Sequence, residues 1–209
     1  TLYVNTTGQE NVAVGGNAMA DNTTGNYNTA IGRAALADNT TASENTAVGY
    51  EASYANTTGT PNAAFGYRSQ YSNTTGNYNS SFGAASLRTN TSGASNVSVG
   101  YAALYSNTTA SNNTAVGYQS LYANTTGSQN VAIGKETLKN NTASTNTAVG
   151  EQAMKTNTTG ADNASFGQGS MYSNTTGASN VAVGYGSLLL NTTASNSTAV
   201  GYQAGYGNT

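Results

Sequence analysis

Apolar and polar residues return along this chain in one fixed order. The run Asn113 to Tyr122, NTAVGYQSLY, shows it: small or β-branched residues, a Gly, a Leu between polar and aromatic neighbours, then a polar Asn-Thr-Thr stretch. The same unit is written about twelve times with a period of 17 residues. Self-similarity at a short fixed period is the signature of a solenoid, and it outranks any local motif. Counted from position zero, the units lead with Asn5, Asn22, Asn39, Asn56, Asn73, Asn90, Asn107, Asn124, Asn140, Asn157, Asn174 and Asn191, and Asn208 opens a further one. One residue is missing between Asn124 and Asn140, and the pattern predicts that it is lost from the loop after Leu138.

Position six is a second Asn, from Asn11 to Asn180, with Ser197 the departure. Position ten is Gly in every unit, as at Gly15 and Gly117, which points to a positive φ or a close backbone approach. This punctuation predicts two short strands per coil, the NTAVG and ALY segments, joined by the Gly corner and the NTTG loop. The fold class expected is all-β, a parallel β-solenoid (β-roll or β-helix) of about twelve 17-residue coils. Residues 1–209 form a single repeat array, and because both ends fall inside a repeat the sequence reads as a segment of a longer fibre. At about 4.8 Å per coil the rod would measure about 55–60 Å. Stability would come from stacking neighbours, since one coil buries little by itself.

Covariation along the chain suggests which side chains face inward. Position nine is always a sizeable apolar residue, and where it is Phe (Phe65, Phe82, Phe166) position seven shrinks to Ala63, Ser80 and Ala164. Elsewhere position seven is Val or Thr, so the two positions share one fixed volume, as on the inward face of a strand. Position fourteen supplies the facing wall, for example Leu36, Leu87, Leu121 and Met154, and is broken at Ser53, Gln70 and Gly205, where a weaker core is expected. Position eight would then point outward, yet it is only Ala or Ser: Ala13, Ala30, Ala47, Ala64, Ser81, Ser98, Ala115, Ala132, Ala148, Ser165, Ala182 and Ala199. A small-residue column on an outer face predicts a subunit contact, with another copy of this chain as partner.

Composition then removes function classes. Charged residues make up 7 % and the net charge is −2, so no basic stripe exists to neutralise nucleic-acid phosphates. No apolar run approaches the ~20 residues that span a bilayer. The chain has no His and no Cys, and the acidic residues (Glu10, Asp21, Asp38, Glu44, Glu51, Glu136, Glu151, Asp162) do not recur at one phase. Stacked calcium sites and general acid–base catalysis are therefore not expected, and no cofactor is implied.

The segment Asn113 to Asn130, NTAVGYQSLYANTTGSQN, resembles repeats of phage tail-fibre and bacterial surface-fibre proteins. It is also similar to the SxAxG head repeats of trimeric autotransporter adhesins. The resemblance covers the whole chain and implies a parallel β-solenoid, trimeric, in an extracellular, cell-surface or virion fibre. The unit here is longer than the adhesin head unit.

Two features admit more than one chemistry. Each of the twelve leading Asn residues is an N-x-S/T sequon, so the NTT loops read either as glycan acceptors at every coil or as turn ladders bonding the local backbone. Tyr recurs at positions eleven and fifteen, either to stack on sugar rings or as an aromatic ladder closing a core edge. Adjacent Thr residues such as Thr108 and Thr109 cannot both lie on one flat strand face, which weighs against an ice-binding surface. The function expected is a non-catalytic structural rod of an extracellular fibre or filament, a homo-oligomer that carries glycans in one reading. The alternative is a carbohydrate- or surface-binding adhesin or tail-fibre shaft.

Overall fold

The computed structural model describes residues 1–207, and Asn208, expected to open a further unit, lies outside them. The chain winds into a parallel β-solenoid with no helix among the described residues. Its strands are β1 (Val12–Val14), β2 (Thr29–Ile31), β3 (Thr46–Val48), β4 (Ala63–Phe65), β5 (Ser80–Phe82) and β6 (Val97–Val99). They continue as β7 (Thr114–Val116), β8 (Val131–Ile133), β9 (Thr147–Val149), β10 (Ala164–Phe166), β11 (Val181–Val183) and β12 (Thr198–Val200). All twelve pair in chain order in one parallel sheet. Register keeps like with like, so that Thr114 faces Val131, Ala115 faces Ala132 and Val116 faces Ile133.

Each coil contributes one strand of three residues, where two strands were expected. The ALY segment does hydrogen-bond from coil to coil, as Leu36 N donates to Ala52 O at 3.0 Å and Leu104 N to Ser120 O at 3.0 Å. It is not extended, because alternate residues are left-handed: Ala102 has φ 53° and Leu104 φ 48°. That conformation costs a non-Gly residue roughly 1–2 kcal/mol. Its recurrence in coil after coil shows how tightly the stack fixes the corner.

The inward and outward faces of the strand are the reverse of the sequence expectation. Position eight lies inside: Ala30, Ala47, Ala64, Ser81, Ser98, Ala115, Ala132, Ala148, Ser165 and Ala182 are fully buried and Ala199 nearly so, while Ala13 in the first coil is half-covered. Positions seven and nine point out, leaving Val14 56 % and Phe82 44 % exposed. The reason is the width of the coil. Leu or Met at position fourteen reaches across the interior and fills it, so the strand can offer only Ala or Ser in return. The core clusters consist of these columns, with Ala115, Leu121, Ala132 and Leu138 among them. A Cβ added at Gly205, in the same column, would meet Leu188 at 2.9 Å and Ala199 at 3.4 Å.

Where position eight is Ser, the buried hydroxyl is paired, as burial requires. Ser81 bonds Ser69 at 2.6 Å and accepts from Gln70 Nε2 at 2.9 Å, Ser98 accepts from Ser86 at 2.6 Å, and Ser165 bonds Ser170. The break at Gln70 coincides with a division of the apolar core into two clusters, one ending at Ala64 and the other starting at Leu87, whereas the first cluster runs on past Ser53.

The Gly column follows from geometry. Gly117 has φ +132°, and a Cβ there would stand 2.5 Å from the carbonyl oxygen of Gly134 in the next coil. Both a positive φ and a close approach are thus imposed at the same residue.

Candidate functional site

Among the described residues no group of carboxylates is placed to hold a metal, and no helix is long and apolar enough to cross a membrane. The features able to act on a partner are the NTT turns, the outward sheet and the tyrosine columns.

The leading Asn column forms a buried amide ladder. Asn107 Nδ2 donates to Asn90 Oδ1 at 2.7 Å and to Ala110 O at 3.0 Å, and Asn90 repeats this with Asn73 Oδ1 at 2.7 Å and Gly93 O at 2.9 Å. Position six runs a second ladder, in which Asn96 N donates to Asn79 Oδ1 at 3.0 Å and Asn96 Nδ2 to Ala110 O at 2.9 Å. Asn22, Asn39, Asn56, Asn73, Asn90, Asn107, Asn124, Asn157, Asn174 and Asn191 are all buried. The glycan reading is corrected for these ten: the nitrogen that would carry a sugar is enclosed and its hydrogens are already donated. Asn5 is exposed because it stands in the first coil, and Asn140 because it does not belong to the ladder.

Asn141 takes the ladder place expected for Asn140. It is fully buried, donates to Ala143 O at 2.7 Å and accepts from Asn157 Nδ2 at 2.7 Å. The missing residue therefore falls inside the tight turn after Asn141, not before it. There Asn-Thr-Ala spans what Asn-Thr-Thr-Gly spans elsewhere, and Asn124 Oδ1 is left without a partner. The identical neighbours Asn140 and Asn141 concealed this in the sequence.

The Thr after each leading Asn also serves the stack. Thr108 Oγ1 donates to Thr125 O at 3.1 Å and Thr175 Oγ1 to Thr192 O at 3.0 Å. The next Thr, such as Thr109 or Thr126, is exposed.

The outward sheet carries no charged residue at position seven or nine in any of its twelve strands. Its exposed apolar residues include Val12, Val14, Ile31, Phe82, Ile133 and Phe166. Phe65 and Phe82 stack at 4.9 Å between centroids, and a hollow of about 320 Å³ opens beside Ala63 and Ser80.

The tyrosine columns stack upon themselves. Tyr50 on Tyr67 and Tyr101 on Tyr118 are 5.4 and 5.6 Å apart at position eleven, and Tyr54 on Tyr71 and Tyr105 on Tyr122 are 5.3 and 5.2 Å apart at position fifteen. These offset-stacked distances are favourable for aromatic pairs.

Charges form two clusters that bind coil to coil. Arg68 Nε donates to Glu51 at 2.7 Å, with Arg33 at 4.0 Å on the same carboxylate. Burial acts to raise the Glu51 carboxyl, but hydrogen bonds from Tyr50 and Arg68 outweigh it and hold it below its usual range. Glu136 receives Lys139 at 2.7 Å, Lys155 at 2.9 Å and Gln152 at 3.1 Å, and these bonds pull it down to about 2.

No protein-family model, curated protein or solved structure matches this chain.

Proposed function

We propose that this chain is a structural rod of an extracellular fibre, built by copies of the chain packing through their outward sheets. The observation that carries this reading is the exchange of volume between positions seven and nine on that face. Every coil sums a large and a small residue or two of middle size: Phe65 with Ala63, Phe82 with Ser80, Val116 with Thr114, Val48 with Thr46. Residues that point into water have no shared volume to conserve.

A two-fold axis parallel to the rod supplies a reason. It brings two sheets face to face with strand directions opposed and coil heights equal. Position nine of each coil then meets position seven of the same coil in the other copy. The sum, not either residue alone, sets the local gap between sheets, and a constant sum keeps the gap even along the rod. The face is about 53 Å long and 10 Å wide, so a pair encloses about 1,000 Å² in projection, at the threshold for a specific interface. Additional copies of the array would lengthen the contact in proportion.

Small-angle X-ray scattering of the purified chain tests this. A cross-section holding more than one coil width, constant along the rod, is the expected result. A cross-section of a single solenoid at all concentrations would reject lateral packing.

A further inference from the structure

Between Tyr50 and Tyr122 each tyrosine ladder is interrupted once, at the same coil, and the two interruptions differ. At position fifteen the gap between Tyr71 and Tyr105 is filled by Arg88, whose guanidinium lies 5.9 and 5.5 Å from the two ring centroids and whose Nη1 donates to Tyr105 Oη at 2.5 Å. At position eleven the gap between Tyr67 and Tyr101 is occupied by Ala84, which is too short to fill it. Tyr50 stacks on Tyr67 and Tyr101 on Tyr118, but Tyr67 and Tyr101 have no ring between them. The result is a notch at Ala84, walled by Tyr67, Arg68, Arg88 and Tyr101, that belongs to a groove of about 350 Å³ running on past Tyr101 to Gln119 and Tyr122. That volume lies within the range of small-molecule sites.

The dimensions specify a flat guest. Two coil steps separate the rings, about 9.6 Å, so a ring placed midway would sit about 4.8 Å from each, within the favourable range for stacked pairs. It would occupy the place that a tyrosine holds in the coils above and below.

Charge specifies the rest. Between residues 52 and 134 the only charged side chains are Arg68 and Arg88, whereas all eight acidic residues of this net-negative chain lie outside that stretch. Arg68 is engaged by Glu51, while Arg88 has no carboxylate partner among the described residues. A planar-faced ligand in the notch would thus meet a guanidinium able to make charge-assisted hydrogen bonds, while the Glu51 carboxylate beyond it is paired with Arg68.

We propose that the notch at Ala84 binds a six-membered ring bearing a carboxylate, clasped between Tyr67 and Tyr101 and anchored through Arg88. Aromatic acids and sugar acids share this chemistry. The site belongs to one rod and holds whether or not copies pack laterally, because the tyrosine columns lie beyond the Gly corner from the outward sheet.

The test is a titration of the full chain followed by the NMR signals of its tyrosine rings. One arm uses 4-hydroxyphenylacetate and its neutral amide, the other methyl glucuronide and methyl glucoside. At least one acid should bind saturably at one site per chain, with its neutral counterpart about tenfold weaker or more. Ala84→Tyr, which installs the residue of the flanking coils, should abolish binding while thermal unfolding shows the fold intact. Arg88→Gln should weaken binding about tenfold. The arm that binds identifies the ring type. Failure of both acids, equal binding of the neutral compounds, or undiminished binding by a folded Ala84→Tyr would each overturn the assignment.

Discussion

Asn is the residue on which the coil depends, because its side chain imitates the backbone. Its amide donates to a carbonyl three residues ahead and to the Asn of the preceding coil, and its oxygen accepts from the following one, as at Asn90 and Asn107. The same carbonyl is reached by the position-six Asn of the preceding coil, as Ala110 O is by Asn96, so the two Asn columns satisfy the turn together; each buried group left unpaired costs roughly 1–3 kcal/mol. The pair Asn140 and Asn141 separates this role from mere sequence pattern. Asn141→Ala should destabilise the chain by about 2–3 kcal/mol, since Asn157 and Asn146 also lose their acceptor. Asn140→Ala, at an exposed site, should change stability by about 0.5 kcal/mol or less. Denaturant unfolding of the two variants distinguishes the ladder residue from its neighbour. The sequence makes the Asn columns plain by period alone. It could not tell ladder from glycan acceptor, because a buried donor and a sequon ask for the same Asn and the same Thr.

At the scale of the coil, the covariation of positions seven and nine was legible, and so was the Leu column, but the side on which the pair lies was not. Alternation says only that seven and nine share a face and eight takes the other. Apolar size ordinarily decides which face is inward. Here the interior is already filled by position fourteen, so the smallest column goes inside and the largest faces out. The left-handed residues of the ALY segment gave little signal, since Gly169, Gly186 and Gly205 alone mark positions where φ is positive.

Coil-to-coil charge adds to the stack near β8 and β9. The Glu136 carboxyl, held at about 2 by Lys139, Lys155 and Gln152, is lowered from its ordinary 4.5. Its stabilisation is therefore present above the unfolded value and is lost as pH falls from about 4.5 toward 2. Between pH 5 and pH 2 the native chain should lose about 1–2 kcal/mol more than Glu136→Gln, after allowance for solvent screening of a partly covered pair. Urea unfolding of both proteins at the two pH values measures the difference. Equal losses would show that the cluster contributes nothing to the stack.

For the whole molecule, a repeat this regular has two consequences that reinforce each other. Backbone and Asn ladders satisfy the stack internally, and the face left over is flat, uncharged and periodic at the coil spacing. A partner matched to it over its full length must carry the same period, and a second copy of this chain does so by construction. The small-residue column expected to make that contact is buried in the core, so in the proposed assembly positions seven and nine would make it instead. The architecture as a solenoid was readable from the 17-residue period, and the notch at Ala84 was visible only once the two tyrosine ladders stood side by side.

The most direct test of lateral packing is the molar mass of three proteins in solution by light scattering: the native chain, Val116→Phe, and Val116→Phe combined with Thr114→Ala. The native chain should assemble, Val116→Phe should shift it toward the 21.1 kDa single chain by overfilling the gap, and the double variant should restore assembly by returning to the Phe-with-Ala sum found at Phe65 and Ala63. A native chain that stays at 21.1 kDa at every concentration, or a single variant that assembles as well as the native chain, would contradict it.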